Sequence, residues 1–288
     1  MRQTMPATAH AGSPLITGSG TGAFNFEGPG ALSGHPIRVW YSAPPTDLAT
    51  AEILIVMPGA QRDGNQYRSD WLPLLRGRHT LLLVPEFSDD EYPGVWSYNL
   101  GRMVDRHGEP QPREGWAFTM VEALFDSVIA DLGSTTTSYA LFGHSAGAQF
   151  VHRFIAFMPR NRVRLAVAAN AGWYTVMDDS VSFPYGLADA PYGIKDMKSA
   201  FAANLTILLG ADDVDPRDGS LQRDDMTDKQ GTNRLARGLN FYAQAREAAG
   251  SSATFNWRLV VVPGIAHSNR DMAGAAAPLL FGPAEGSQ

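Results

Sequence analysis

The sequence contains no cysteine. That removes disulfides, thiolate metal sites and a cysteine nucleophile from consideration. Charge is sparse, at 18% of 288 residues, and the 23 Lys and Arg are outnumbered by 29 Asp and Glu, for a net −6. A phosphate-binding surface needs clustered cations, so nucleic acid is not an expected partner. No run approaches the roughly 18 uncharged apolar residues of a membrane span. The opening MRQTMPATAHAGSPLITGSG also lacks the apolar segment of about 7 to 15 residues that a signal peptide carries. The expectation is a cytoplasmic chain, or a secreted one if a leader was removed.

Other motifs are missing or spoiled. There is no H-E-x-x-H, no P-loop and no internal repeat. GSGTG at 18–22 has the glycines of a dinucleotide loop without a strand before it or a helix after it. DVDPRDG at 213–219 has the carboxylates of a calcium loop, but Pro216 and Arg217 interrupt it and its twelfth position is Asp224 rather than glutamate. No metal and no cofactor are expected.

What is present is a globular composition: 44% hydrophobic, with 29 glycines and 19 prolines to turn the chain. Residues 1–23 read as a mobile arm rich in Gly, Ser, Thr and Ala, and 24–288 as a single domain. FNFE and IRVWYSA (37–43) read as an antiparallel opening pair. EILIVMPG, TLLLVPEF, SYALFGHS, RLAVAANAG, LTILLGAD and WRLVVVPG are nearly unbroken apolar runs, the pattern of strands covered on both faces of a parallel sheet. Between them lie amphipathic segments. In FTMVEALFDSVIADLG, Met120, Leu124, Val128 and Leu132 recur every fourth residue and make one apolar helical face. Alternating strands and helices imply an α/β class with right-handed crossovers.

Two connections, 86–116 and 172–198, far exceed the usual length of about 2 to 6 residues. Both carry aromatics and proline, which favours order beside a pocket. Their Trp96, Tyr98, Trp173, Tyr174, Phe183 and Tyr185 are candidate substrate-binding residues, and each is also a candidate for plain core packing.

LFGHSAGAQF, 141–150, places Ser145 between an apolar strand and a helical run. There a sharp turn can lift a hydroxyl above the sheet edge, provided small residues flank it; Gly143, Ala146 and Gly147 meet that need. A serine needs a base to become a nucleophile. Of seven histidines, His10, His35, His79 and His107 lie in the arm or in connections before the serine. His144 is its sequence neighbour, and His152 is about two helical turns away. His267 remains, on a loop after the last apolar strand and at the sheet edge where ligands bind. The imidazole requires an acid to orient it. ADDVDPRD follows LTILLG; Asp213 is preferred for standing three residues after Gly210, with Asp212 and Asp215 as rivals.

The order Ser145, Asp213, His267, with the GHSAG elbow and the GADD and GIAHS loops, resembles the α/β-hydrolase family over roughly residues 24–282. The resemblance implies an eight-stranded, mostly parallel sheet flanked by helices on both faces, and ester hydrolysis through an acyl-enzyme. It also implies an oxyanion hole built from the amides of Ala146 and Ala60. Many members have His-Gly-x at the second position, where this chain has Pro58-Gly59-Ala60, and Gln61 could substitute as a donor. The expected partner is a small or polymeric ester. Alternatives are a serine peptidase or amidase, or a hydrolase fold that has lost catalysis and serves as a binding module. Ser145 as a simple helix N-cap is the bland alternative.

Overall fold

A computed structural model describes residues 14–251 and 254–282. Its centre is one eight-stranded sheet in the order β1-β2-β4-β3-β5-β6-β7-β8. The strands are β1 (Gly20–Phe26), β2 (Ile37–Ala43), β3 (Glu52–Met57), β4 (Thr80–Glu86), β5 (Tyr139–His144), β6 (Val163–Ala169), β7 (Leu205–Gly210) and β8 (Arg258–Val262). β1 pairs antiparallel with β2, and β2 with β4; every later pairing is parallel. The helices are α1 (Gly64–Trp71), α2 (Gly94–Ser97), α3 (Ala117–Asp131), α4 (Ala146–Phe157), α5 (Lys198–Ala202), α6 (Asp225–Gln230), α7 (Arg234–Ala249) and α8 (Asn269–Phe281).

The apolar strands divide their side chains between two cores, as the two-residue period of the pleat requires. Ile53, Ile55 and Met57 of β3 face α3, α4 and α7, where Val121, Leu124, Phe150, Phe154 and Phe241 are buried. Leu54 and Val56 point the other way, with Phe142 and Val167, onto Trp71 of α1 and Met272, Ala276 and Leu280 of α8. In α3, Met120, Leu124 and Val128 are fully buried, and Leu132 closes the helix as its C-cap.

Three sequence expectations are corrected. β1 starts at Gly20, so residues 20–23 belong to the sheet rather than to an arm; their backbone pairs with residues 40–43. Residues 14–19 are also attached, since Ile16 is buried and the Leu15 amide donates to Asp131 at 3.0 Å. The rest of the expected arm, 1–13, lies outside the described residues. Finally, the segment QYRSDWLPLLRG (66–77), one of the amphipathic runs expected to be helical, is α-helical only to Trp71. It then tightens to a 3-10 turn over Leu72–Leu75, where Pro73 lacks the amide an α-helix would use.

The long connections are ordered around short elements. The first contains α2, a 3-10 turn at Arg113–Gly115 and a bridge between Val104 and Pro110. The second contains a 3-10 turn at Ile194–Asp196.

Candidate active site

Ser145 joins β5 to α4 with φ 57° and ψ −116°, a region an L-residue occupies only under strain. The flanking glycines make this possible. A Cβ at Gly143 would overlap the Gly147 carbonyl, and one at Gly147 would overlap the Met57 carbonyl of β3. Although Ser145 occupies the N-cap position of α4, its side chain caps no amide. Its hydroxyl instead lies 3.1 Å from His267 Nε2. The N-cap alternative is therefore set aside.

His267 Nδ1 is 2.8 Å from Asp213 Oδ2. A carboxylate can only accept, so Nδ1 carries the proton and Nε2 is left to receive one from Ser145. Asp213 is 5% exposed, whereas its rivals face solvent, with Asp215 accepting from the Arg217 amide. Three residues from distant loops thus form one hydrogen-bonded line.

Several groups that hold this line escaped the sequence reading. Asn170, at the end of β6 with φ 49°, donates to the Ala266 carbonyl at 3.0 Å and accepts from the Gly210 amide at 2.7 Å. It thereby ties the Asp213 loop to the His267 loop. Arg234, at the start of α7 and 1% exposed, donates to Asp213 Oδ1 at 3.2 Å, to Asp218 at 2.9 Å and to Ser220 at 2.8 Å. The only local hint was an asparagine closing an apolar strand; nothing marked Arg234 among ordinary surface charges.

His144 sits behind the histidine of the line, ring centroids 4.6 Å apart, with Nδ1 3.1 Å from the Tyr67 hydroxyl. Burial, with His267 and Arg234 nearby, holds His144 well below its ordinary pKa and hence neutral. The Pro58–Arg62 turn closes the other side. A Cβ on Gly59 would be 2.6 Å from the Tyr67 hydroxyl, so a larger residue there requires Tyr67 to move, while the 3.6 Å to Ser145 Cβ is ordinary contact. Ala146 is buried at the head of α4, and Ala60 and Gln61 are exposed on the turn. Arg62 anchors this turn by donating to the carbonyls of Phe87 (2.8 Å) and Gly94 (3.0 Å) while lying 4.5 Å over the Tyr98 ring.

The aromatic candidates separate into two groups. Trp96, Phe183 and Tyr185 are partly exposed. Tyr98, Trp173 and Tyr174 are buried, which corrects the expectation that they form an open wall. The Tyr98 hydroxyl donates to the Pro58 carbonyl at 2.6 Å, and Tyr174 stacks on Phe241 at 4.3 Å. Their rings cover apolar area that a long loop could not otherwise remove from water. Trp173 lies beneath Tyr185, with centroids 5.0 Å apart.

A cavity of about 730 Å³ between residues 176–194 and α6–α7 includes none of the three aligned residues, whereas a polar crevice of about 380 Å³ along Ser268–Asp271 adjoins His267. Among the described residues no helix is long and apolar enough to cross a membrane, and no group of three or more His, Asp or Glu is placed to hold a metal. The carboxylates of the 213–219 run point elsewhere: Asp213 to His267, Asp215 to Arg217, and Asp218 to Arg234.

A doubly covered, mostly parallel sheet with a strained serine at a strand-to-helix elbow defines the α/β-hydrolase class. No protein-family model matches the chain, and neither does any curated protein. Among solved structures it is similar to poly(aspartic acid) hydrolase-1 from Sphingomonas sp. KT-1, with 42% identity over 92% of this chain and 99% of the other, at a TM-score of 0.86. It is also similar to a poly(3-hydroxybutyrate) depolymerase from Bordetella parapertussis, with 31% identity over 91% and 90% of the two chains and a TM-score of 0.85. An S-formylglutathione hydrolase from Agrobacterium tumefaciens, 14% identical over 93% and 96% of the two chains, shares the fold at a TM-score of 0.55. The chain belongs to the α/β-hydrolase family that includes the first two, and it is an enzyme of the hydrolase type.

Proposed function

We propose that this protein is a serine hydrolase that cleaves carboxylic esters through an acyl-enzyme. The observation that carries the reading is the continuous line of hydrogen bonds from Asp213 through His267 to Ser145, 2.8 and 3.1 Å long, at a backbone elbow that offers the hydroxyl to solvent. His267 Nε2 takes the Ser145 proton as Oγ attacks the ester carbonyl, and Asp213 stabilises the imidazolium that forms. The amides of Ala60 and Ala146 receive the developing oxyanion. His267 then protonates the departing alkoxide. Water, deprotonated by the same nitrogen, releases the acid and restores the serine.

Polymeric substrates are favoured because the two relatives described above, at 42% and 31% identity, are named for polymers. Amide cleavage is the second reading, supported by the 42% identity to a poly(aspartic acid) hydrolase, since poly(aspartic acid) is joined by amide bonds. Trp96, Phe183, Tyr185 and Gln61 are the residues proposed to meet the substrate. The test is a panel of p-nitrophenyl esters and anilides with wild type and Ser145→Ala, together with labelling by a fluorophosphonate. Labelling at Ser145 and loss of turnover in a folded Ser145→Ala protein are expected. Turnover that survives the substitution refutes the proposal, and faster anilide cleavage selects the amide reading.

A further inference from the structure

Among the described residues four arginines are buried: Arg62, Arg153, Arg234 and Arg237. Three of them face carboxylates, namely Asp89, the Asp213 and Asp218 pair, and Asp228. Arg153 is fully buried and forms no ion pair among the described residues. Its Nε donates to Thr175 Oγ1 at 2.8 Å, and its Nη1 donates to the carbonyls of Asn99 and Gln149, both at 3.1 Å. Its Nη2 is buried without a hydrogen-bond partner. The guanidinium lies 4.2 Å from the ring of Trp173, and burial lowers its pKa only to about 9, so it stays charged at neutral pH. An unpaired charge in the interior is costly to keep, and apolar residues would fill the space at lower cost.

Its location gives that charge a use. Arg153 stands eight residues after Ser145 on α4, about 12 Å along the helix axis. Asn99 belongs to the first long loop, and Trp173 and Thr175 to the second, so the guanidinium fastens both loops to α4. Trp173 covers it, and the partly exposed Trp96 and Tyr185 lie above. A substrate crossing these aromatics meets a positive charge with no protein carboxylate paired to it.

We propose that Arg153 is a specificity-determining residue that makes this site favour substrates bearing a carboxylate beside the scissile group. The proposal rests on the serine-hydrolase reading above. Arg153 acts across the Trp173 ring rather than by contact. One unit charge about 12 Å from an anion, the axial spacing of Ser145 and Arg153, changes the preference for that anion by about tenfold at an effective dielectric constant of about 20. A buried source is weakly screened, so the preference persists at physiological salt.

The test compares two esters of equal acyl length, p-nitrophenyl butyrate and mono-p-nitrophenyl succinate, with each kcat/KM divided by that ester's hydroxide-catalysed rate. Wild type is expected to favour the succinate by about tenfold. Arg153→Met is expected to bring the ratio near one, and Arg153→Lys to restore it only as the pH falls and the buried amine becomes charged. If Arg153→Met does not fold, Arg153→Gln, which keeps a donor without the charge, takes its place. If neither neutral variant folds, Arg153→Lys decides through its pH profile, because a preference that does not rise as pH falls from about 9 to about 6 and the buried amine gains its proton overturns the proposal. An equal loss on both esters in a neutral variant means that Arg153 only fastens the loops, and it also overturns the proposal. Turnover by wild type without a preference overturns this inference alone. No turnover of either ester and no fluorophosphonate labelling refutes the serine-hydrolase reading itself.

Discussion

Asp213→Asn isolates what the carboxylate does that a polar group of the same shape cannot. Asp213 offers one oxygen to His267 at 2.8 Å and the other to Arg234 at 3.2 Å. Asparagine has one accepting end and one donating end, so it can accept from only one of these neighbours. The bond to the Arg234 guanidinium is charge-assisted and stronger than the bond to a neutral imidazole by about 1.4 kcal/mol, so the carbonyl faces Arg234 about ten times in eleven. The amide NH2 then points at His267 Nδ1 and drives the proton to Nε2, the atom that must be free to accept from Ser145. A fall in kcat of about 10⁴-fold is expected, or about 5 kcal/mol of transition-state stabilisation, of which about tenfold comes from the turned amide and the rest from loss of the charge that stabilises the imidazolium. The added substitution Arg234→Met frees the amide to turn round. The double variant is therefore expected to be about tenfold faster than Asp213→Asn, although less stable. The assay is steady-state hydrolysis of a p-nitrophenyl ester, with urea midpoints confirming that each variant is folded. An Asp213→Asn enzyme retaining more than a tenth of wild-type kcat, or a double variant slower than the single, refutes the reasoning.

Ala60→Pro deletes one proposed oxyanion donor and should lower kcat by about 10² to 10³ with little change in KM, as read by ester kinetics. Gly147→Ala places a Cβ inside the Met57 carbonyl oxygen, so α4 must move off β3. A loss of about 3 kcal/mol in urea unfolding is expected. The Asp218 carboxyl is held well below its usual range by the Ser220 hydroxyl, helped by the Ser220 amide and Arg234. A depressed folded-state pKa contributes stability above the unfolded value of about 4 and loses it as pH falls below that. Urea midpoints measured from pH 6 to pH 2.5 should accordingly fall less steeply in Asp218→Asn than in wild type.

Much of the fold was legible in short windows. Apolar runs such as EILIVM and YALFGH are too continuous for a sheet with one wet face, and both became central parallel strands. Residues 20–23 were not legible, because GTGA has little strand character of its own and is held by pairing with β2. The burial of Tyr98, Trp173 and Tyr174 was equally hidden, since an aromatic in a long loop has the same local sequence whether it packs or faces a ligand.

By itself the sequence determined the α/β alternation and singled out Ser145, His267 and the acidic loop 212–215, because strand periodicity and a glycine-flanked elbow are local properties. Only the tertiary structure decided that Asp213 rather than Asp212 or Asp215 turns inward, that Asn170 joins the loops, and that Arg234 and Arg153 are buried. Those outcomes depend on partners tens of residues away and on which side of a strand end a side chain leaves. A charged residue in a sequence carries no mark of whether water or a folded neighbour will surround it.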